Sequence, residues 1–355
     1  MADILPTLAL NEEHRGACLK TERTIGIAVI GAGFMGTLYA RICAQMAGVS
    51  VVAVCDLLPE RVVPLAEELG AAAYSTAEYD RMFKERREID AVLVCTREDG
   101  HREPALAALE ADKHLMVEKP LATRVGDAKA IVDAARGREH LITMMAHTLR
   151  FDPRYIRLQQ AIRQKKIGEL IQLFARRTPP YAALERIGGR VELPFWVGIH
   201  DIDMMRWITG SEVSRVLTVS SEKGVKEHTV KSAFISLLTF ENGVIAALDN
   251  SWGPSSGQQS STFFRAQGTR GVIEVTSANP AVSIAHDGTF DFPDTIYICD
   301  SHGRITGAYT DQISYFVNCI RLGTPSTVQL QDGLQSIAVA NAILRSSNCV
   351  SEGVL

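Results

Sequence analysis

The chain has 355 residues, of which 46% are hydrophobic and 22% charged, and its formal net charge is -4. This composition is typical of a folded globular protein and excludes a mostly disordered one, and the length is sufficient for two domains. The acidic balance, without a lysine and arginine cluster, argues against nucleic-acid binding. No apolar run reaches the length that spans a membrane.

The seven cysteines are scattered along the chain and include no C-x-x-C pair. We expect reduced thiols, which are typical of a cytoplasmic protein. Residues 1–23 contain no basic segment followed by a long hydrophobic one, so a secretory signal is not expected. We therefore predict a cytoplasmic protein in which residues 1–23 form an N-terminal extension.

A glycine motif stands between a predicted strand and a predicted helix. Residues 25–30 are an apolar run of the kind that fills a buried parallel strand, and Gly31-Ala-Gly33-Phe-Met-Gly36 follows at once. The first glycine would allow a tight turn, the second would let the backbone approach a pyrophosphate, and the third would permit close helix packing. The alternative is a glycine-rich turn in an α/β domain that binds no nucleotide. Helical spacing after the motif is shown by Met35, Tyr39, Ile42 and Met46.

A carboxylate follows the next predicted strand and completes the pattern that the glycine motif begins. A second apolar run, residues 49–55, is followed by Asp56, twenty positions beyond Gly36. Asp56 would accept hydrogen bonds from an adenosine ribose and would repel a 2'-phosphate. The sequence therefore predicts that the chain binds NAD, and the nearby cation Arg61 keeps NADP as the less favoured alternative.

The order of the elements predicts two domains. Strands alternate with amphipathic helices as far as His147, which is typical of a doubly wound parallel sheet. Later β-rich runs joined by short turns, with Asn242-Gly243 as a hairpin signal, predict an α+β domain with an open, mainly antiparallel sheet. The predicted strands are 25–30, 49–55, 89–95, 114–118 and 141–146 in the first domain (residues 24–147), and 170–177, 213–220, 231–240, 244–251, 261–267 and 271–276 in the second (residues 148–355). Helices are expected at 200–209, 311–322 and 333–346.

Glu118-Lys119-Pro120 follows the fifth predicted strand, at the sheet edge where doubly wound folds bind ligands. An ammonium there could hydrogen-bond a substrate hydroxyl and relay its proton while hydride passes to nicotinamide. Pro120 disfavours helical geometry at Lys119 and keeps the segment extended. Without this context, Lys119 would be interpreted as a solvated surface lysine.

With these residues the chain resembles the glucose-fructose oxidoreductase, inositol dehydrogenase and MocA family of NAD(P)-dependent oxidoreductases, over nearly its whole length after the extension. The resemblance implies a Rossmann domain followed by an α+β domain whose open sheet forms an oligomer interface, and hence a homodimer or homotetramer. Beside the glycine motif, Asp56 and Glu118-Lys119-Pro120, it is carried by Thr96 with His101, Lys113-His114, Arg150-Phe151 with Pro153, Gly168, and His200-Asp201-Ile202-Asp203.

The resemblance also implies roles for individual residues. The family's E-K-P lysine works at the reacting carbon and faces a histidine that opens a helix of the second domain, and these roles fall on Lys119 and His200. The residues expected to bind the cofactor are Gly31, Gly33, Phe34, Met35, Gly36, Asp56, Arg61, Thr96, His101, Glu118 and Lys119. Those expected to contact the substrate are His147, Arg150, Trp196 and His200.

His200 has two other interpretations. On the predicted helix it shares a face with Asp203, so a structural histidine paired with that carboxylate is one alternative. His200, Asp201 and Asp203 are also possible metal ligands, but no further histidine-rich cluster completes a site. We expect no metal.

Two positions depart from the family pattern. Trp196 stands where many sugar and cyclitol dehydrogenases of the family have an aspartate, four residues before the histidine. A large aromatic side chain there predicts an apolar or stacking wall. Thr96-Arg97-Glu98 replaces the usual Thr-Pro-Asn, and Arg97 could meet an anionic group, pair with Glu98 or remain solvated.

The sequence thus predicts an NAD-dependent oxidoreductase for a secondary alcohol or ketone of a sugar, sugar derivative or cyclitol. We expect a small polyol or sugar-like partner, and neither nucleic acid nor membrane. One alternative is an NAD-dependent glycosidase that oxidises a sugar carbon transiently and recycles its NAD. The other is a non-catalytic NAD-binding or sensing protein, and Trp196 is the residue that keeps this alternative open.

Overall fold

The computed structural model describes residues 23–349, except 76–77, 224, 226–227, 255–259, 277–281, 283, 287–288 and 292–293. The predicted extension therefore lies outside the described residues, apart from Arg23. Two six-stranded sheets organise the described chain. No helix within the described ranges is both long enough and apolar enough to cross a membrane.

The first sheet is parallel and doubly wound. Its strands lie side by side in the order β3-β2-β1-β4-β5-β6, so the direction of winding reverses between β1 and β4. All six residues of β1 are buried, which explains its unbroken apolar sequence. The strands are β1 (Ile25–Ile30), β2 (Val49–Asp56), β3 (Ala72–Ser75), β4 (Ile89–Val94), β5 (His114–Val117) and β6 (Thr143–Met145).

Five helices connect these strands. Tyr39 and Ile42 are buried on the first helix at the predicted spacing, whereas Met35 is only partly buried and Met46 lies beyond the end of the helix. The second helix starts at Pro59, whose missing N–H suits a first turn. The helices are α1 (Phe34–Ala44), α2 (Pro59–Leu69), α3 (Tyr79–Glu85), α4 (Arg102–Glu110) and α5 (Val125–Ala135).

The second sheet has the order β12-β11-β7-β10-β9-β8. Its β7 and β10 pair is parallel, and its other neighbours are antiparallel. The Asn242-Gly243 turn joins β9 to β10, and Gly243 has a φ of +86° there. The strands are β7 (Leu170–Thr178), β8 (Val213–Ser221), β9 (Ala233–Phe240), β10 (Ile245–Ser251), β11 (Ser261–Gly268) and β12 (Val272–Thr276), and two short hairpins pair β13 (Ile284–His286) with β14 (Thr289–Asp291) and β15 (Cys299–Ser301) with β16 (Arg304–Thr306).

The remaining helices join the two sheets. A 3₁₀ turn, Thr148–Phe151, leads out of the first sheet, and a π-helical turn, Pro194–Gly198, leads directly into α8. The α-helices of this part are α6 (Pro153–Arg163), α7 (Tyr181–Ile187), α8 (Ile199–Thr209), α9 (Ala308–Leu322) and α10 (Leu330–Cys349). Because α9 packs against α1 and the 3₁₀ turn, and α10 against α5, α8 and β8, the C-terminal helices bind the two sheets together.

The predicted fold class is confirmed: a parallel Rossmann sheet is followed by an α+β part with a mainly antiparallel sheet. The differences are local. Strand β6 covers three residues instead of 141–146, and neither β3 nor the two hairpins were predicted. Strand β3 has only four residues and begins with two alanines, so it carries little of the alternation that marks a strand.

Candidate active site

The glycine motif forms the turn between β1 and α1. Gly31 has a φ of +101°, and a Cβ there would lie 2.4 Å from the carbonyl oxygen of Cys95. A Cβ on Gly36 would lie 1.7 Å from the carbonyl oxygen of Gly31, so only glycine permits this turn. Gly33 differs, because no atom lies within 4 Å of the position of its Cβ. The backbone therefore leaves an open cradle at the N-terminus of α1, and a pyrophosphate fits such a cradle.

Asp56 lies against this loop. Its Oδ2 accepts a hydrogen bond from the backbone N–H of Ala32 at 2.6 Å, and its Oδ1 accepts one from that of Leu58 at 3.0 Å. The carboxylate is thus fixed at the end of β2, next to the glycine turn. This placement fits a ribose with free hydroxyl groups, and a 2'-phosphate would face a negative charge there.

The other predicted cofactor residues near this loop are more exposed. Phe34 is 67% exposed at the start of α1, whereas Met35 is partly buried and packs against the core. Arg61 is exposed in the first turn of α2. Their contact with NAD stays a prediction.

His101 connects two loops at the carboxyl edge of the sheet. The ring is buried, with Nδ1 2.7 Å from the carbonyl oxygen of Pro120 and Nε2 3.2 Å from that of Thr96. Burial lowers the pKa of His101, so the neutral ring donates to one of these carbonyls at a time. The structure therefore gives His101 a positioning contact with the E-K-P segment, while its predicted contact with the cofactor stays a prediction.

Glu118 belongs to a buried hydrogen-bond chain. Tyr39 donates its hydroxyl hydrogen to Glu118 Oε1, Gln312 Nε2 donates to the Tyr39 hydroxyl at 2.7 Å, and Thr148 donates to Gln312 Oε1 at 2.9 Å. Glu118 Oε2 accepts from the backbone N–H of Lys119 at 3.0 Å. Burial raises the pKa of Glu118. The chain of contacts fixes the backbone immediately before the predicted catalytic lysine.

Lys119 lines a cavity of about 270 Å³ between the two sheets. Its Nζ donates a hydrogen bond to the backbone carbonyl of Trp196 at 3.1 Å, and the Lys119-Pro120 peptide bond is cis. Burial lowers the pKa of Lys119, and the nearby positive charge of Arg177 acts in the same direction, whereas Glu118 and Glu98 oppose it. A lysine in this environment releases its proton more easily than a solvated lysine does.

His200 lines the same cavity, one residue into α8. Burial lowers the pKa of His200 well below its usual value, and the charge of Lys119 adds to this effect, so the imidazole is neutral. Its Nδ1 is buried and has no hydrogen-bond partner among the described residues. The structure brings Lys119 and His200 together as the sequence predicts, and leaves a polar atom of His200 available to a ligand.

Trp196 also lines the cavity and stacks on Trp252, with ring centroids 5.1 Å apart and an angle of 29° between the rings. This contact gives the cavity a rigid aromatic wall. The sequence predicts the wall at Trp196 but gives no signal for Trp252, because only the fold brings the end of β10 next to the π-helical turn.

The two carboxylates that follow His200 are both used elsewhere. Asp201 accepts two hydrogen bonds of 2.8 Å from Arg177, a cavity residue that the sequence analysis missed. Asp203 accepts two from Arg150, at 2.9 and 2.7 Å, and lies 3.5 Å from Nε2 of His147. The alternative in which Asp203 pairs with His200 is therefore not what the structure shows.

His147 and Arg150 occupy a buried charged cluster at the junction of the two sheets. Arg150 also pairs with Asp332 at 3.2 Å. Burial lowers the pKa of His147 to about 4, so this ring is neutral. Neither residue is among those that line the cavity at Lys119. Their predicted contact with substrate stays a prediction, and the described contacts give them a role at the junction.

Within the described ranges, no group of three or more histidine, cysteine, aspartate or glutamate residues is arranged to hold a metal ion. Arg97, which the sequence leaves open, lies near Asp99 at 3.5 Å, while Glu98 pairs with Arg190 at 2.9 Å.

The sequence matches the two parts of one known family. Residues 25–147 match an oxidoreductase family with an NAD-binding Rossmann fold, and residues 160–350 match the C-terminal alpha/beta domain of the same family. The chain belongs to the glucose-fructose oxidoreductase, inositol dehydrogenase and MocA family. The predicted family, the NAD cofactor and the class of oxidoreductase acting on CH–OH groups are confirmed by this membership.

Curated relatives of this family member match it over most of their length. The myo-inositol 2-dehydrogenase of Thermotoga maritima is 26% identical over 335 residues, which are 90% of this chain and 95% of that protein. The inositol 2-dehydrogenase of Rhizobium meliloti is also 26% identical, over 91% of this chain and 97% of that protein.

Solved structures share the fold. A scyllo-inositol dehydrogenase from Lactobacillus casei, with bound NAD(H) and scyllo-inositol, has a TM-score of 0.79 at 22% identity and covers 92% of this chain and 97% of its own. A myo-inositol 2-dehydrogenase from Lactobacillus plantarum has a TM-score of 0.80 at 22% identity and covers 92% of this chain and 98% of its own. At these identities the similarity establishes the common architecture.

Proposed function

We propose that this chain interconverts a secondary alcohol and a ketone on a small cyclitol or sugar-like substrate, with NAD as the hydride carrier. The observation that carries the proposal is the position of Lys119. It follows β5 at the carboxyl edge of the parallel sheet, one strand away from the switch point between β1 and β4, and it lines a cavity together with His200. The inositol dehydrogenases among its relatives favour a cyclitol or a similar polyol.

NAD bound at the glycine cradle supplies the hydride acceptor for oxidation of the alcohol. In the proposed reaction the neutral amine of Lys119 accepts the proton of the substrate hydroxyl as the carbon loses hydride. The hydrogen bond to the Trp196 carbonyl orients Nζ, and Glu118 holds the backbone of Lys119 in place. In the reverse direction, protonated Lys119 returns the proton to the forming hydroxyl.

We assign His200 a binding role. Because its ring is neutral and its Nδ1 has no partner among the described residues, it can hold a substrate hydroxyl without adding charge to the cavity. Trp196 would pack against a face of the substrate ring. Asp56 would hold the adenosine ribose, which favours NAD over NADP.

We also propose that the chain forms a homodimer or homotetramer through the outer face of its second sheet. Leu217 and Val219 of β8 lie opposite Leu237 and Ile235 of β9, and all four side chains are more than half exposed. With Ile245 of β10 they form an apolar patch, which is typical of a surface that a partner covers.

A cytoplasmic location is proposed from the thiols. Cys43, Cys55 and Cys95 are buried as free cysteines, which fits a reducing compartment. Alkylation of protein taken directly from cells, followed by mass spectrometry, would detect a disulfide-linked population, and such a population would contradict this location.

The catalytic proposal is tested with purified protein, NAD and a panel of inositols and sugars, by following the absorbance of the reduced cofactor. We expect turnover of at least one polyol, and a loss of kcat of about a hundredfold or more in Lys119→Met, because the proton acceptor is removed. Lys84→Met is the matched control, since Lys84 is exposed at the end of α3. Full turnover by Lys119→Met would refute the assigned role.

A further inference from the structure

The cavity at Lys119 is lined by three basic side chains. Lys119, Arg177 and Arg186 contribute to its wall, and no aspartate or glutamate is among the described residues that line it. A polyol hydroxyl both donates and accepts hydrogen bonds, and Ser260, Thr262 and neutral His200 in this wall can do the same, whereas the guanidinium groups of Arg177 and Arg186 only donate.

The carboxylates near the cavity already have partners. Both oxygens of Asp201 accept from Arg177, and both oxygens of Glu98 accept from Arg190, at 2.9 and 3.1 Å. Glu118 is buried against Tyr39. Glu118 and Glu98 act on Lys119 and Asp201 pairs with Arg177, so none of these three carboxylates forms an ion pair with Arg186.

Two guanidinium groups keep unused donors. Arg186, in the last turn of α7, is exposed, and its side chain makes no ion pair or hydrogen bond with another described residue. Arg177 uses Nε and Nη2 for Asp201, so its Nη1 has no hydrogen-bond partner in the part of the chain that the structure describes. Guanidinium donors match the planar geometry of a carboxylate.

We propose that the substrate of this site is a monosaccharide-sized polyol that carries a carboxylate, of the uronic acid class, with the carboxylate held by Arg177 and Arg186. The inference rests on the oxidoreductase function proposed above and specifies its substrate. The cavity, at about 270 Å³, accommodates a single sugar ring, and Trp196 offers that ring an apolar wall. A secondary carbon of the acid then lies toward Lys119.

The reaction balances without a further reagent. The secondary alcohol loses hydride to NAD and its hydroxyl proton to Lys119, which gives a ketone, NADH and one proton. The carboxylate of the substrate is unchanged, so its only role is binding. Arg186 is therefore a residue that determines specificity and takes no part in the hydride transfer.

The test compares acids with their neutral counterparts in the full-length protein with NAD: D-glucuronate with D-glucose, and D-galacturonate with D-galactose. Glucose 6-phosphate is added because a phosphate would also satisfy the arginines. We expect kcat/KM for a uronate to exceed that for its neutral partner by at least about tenfold, and Arg186→Gln to reduce this ratio by about tenfold. Arg163→Gln is the matched control, since Arg163 is also exposed in the last turn of a helix and is absent from the cavity wall.

A neutral sugar turned over as well as its acid, or a ratio that Arg186→Gln leaves unchanged, would overturn the inference while the oxidoreductase function stands. Preference for the phosphate over both uronates would overturn the carboxylate assignment. If no compound is oxidised, the oxidoreductase proposal fails for this panel. The inference is then tested by calorimetric titration of the NADH-loaded protein with glucuronate and with glucose. Tighter binding of glucuronate than of glucose, lost in Arg186→Gln, would support it, and equal binding would overturn it.

Discussion

A single methyl group at Gly33 should separate cofactor binding from folding. Gly33 has φ and ψ of -76° and -166°, which alanine adopts without strain, and nothing lies within 4 Å of the added Cβ. We expect Gly33→Ala to change the free energy of unfolding by less than about 1 kcal/mol. The methyl group would occupy the cradle that a pyrophosphate needs, so charge-assisted hydrogen bonds worth about 1.5–3 kcal/mol should be lost. The Kd for NAD should rise about tenfold to a hundredfold.

Two other glycines provide controls. In Gly36→Ala the new Cβ would lie 1.7 Å from the Gly31 carbonyl oxygen, so the backbone must move and stability should fall by at least about 1–3 kcal/mol. Gly126 lies within α5, and nothing lies within 4 Å of the Cβ that Gly126→Ala would add. The free energy of unfolding should therefore stay equal or rise by up to about 1 kcal/mol, and the Kd for NAD should not change.

The assays are urea denaturation followed by circular dichroism and calorimetric titration with NAD. A Gly33→Ala variant that folds normally and binds NAD with the wild-type Kd would show that the cradle does not hold the pyrophosphate. Loss of folding in Gly33→Ala would show that the position of the Gly33 Cβ is not open, contrary to the structure.

Three further predictions concern proton transfer, stability and assembly. Because burial lowers the pKa of Lys119, the rate of alcohol oxidation should rise with pH and reach its plateau below the usual lysine pKa. The rate of ketone reduction should fall over the same pH interval. A plateau reached only above pH about 10.4 would contradict this prediction. Arg150→Met leaves Asp203 buried and unpaired, which should lower the free energy of unfolding by about 3–5 kcal/mol in urea titrations at pH 7, whereas Arg163→Gln should have little effect. Leu237→Lys places a charge in the exposed apolar sheet face and should lower the mass seen by light scattering; an unchanged oligomer would place the interface elsewhere.

The Arg150 cluster also predicts how stability depends on pH. Although burial alone raises the pKa of Asp203, the His147 ring, which is charged only below pH about 4, and the guanidinium of Arg150 hold it below the usual value. A carboxyl whose pKa is lower in the folded state stabilises the fold above its unfolded pKa, near 3.9, and loses that contribution as the pH falls through the folded value. The difference in stability between wild type and Arg150→Met should therefore shrink below pH about 4.

The sequence predicts best the features that depend on residues close together in the chain. The glycine motif, Asp56 and the E-K-P segment each follow an apolar strand, and strand ends of a parallel sheet meet at one edge. The local pattern is therefore enough to place the glycine turn, Asp56 and Lys119 at the same edge, and to place the helix that carries His200.

The missed features depend on pairs that are distant in the sequence. Tyr39 and Gln312 are 273 residues apart, and nothing in either segment indicates that α9 returns to pack on α1. Asp203 is a second example: its spacing leaves a pairing with His200 as one alternative, but in the fold the guanidinium of Arg150 binds both of its carboxylate oxygens. Arg177 and Arg186 are ordinary charged residues in the sequence and become part of a cavity only when β7 and α7 face the first sheet.

Hydride transfer between substrate and NAD at Lys119 can be followed with a deuterated substrate. The best substrate of the panel, deuterated at its carbinol carbons, is incubated with the protein and NAD, and the nucleotide is analysed by mass spectrometry. We expect NADH that is one mass unit heavier, formed in step with the ketone by wild-type protein and at least about a hundredfold more slowly by Lys119→Met. Substrate consumed without accumulation of deuterated NADH would contradict it and would point to a cofactor that is recycled within the site.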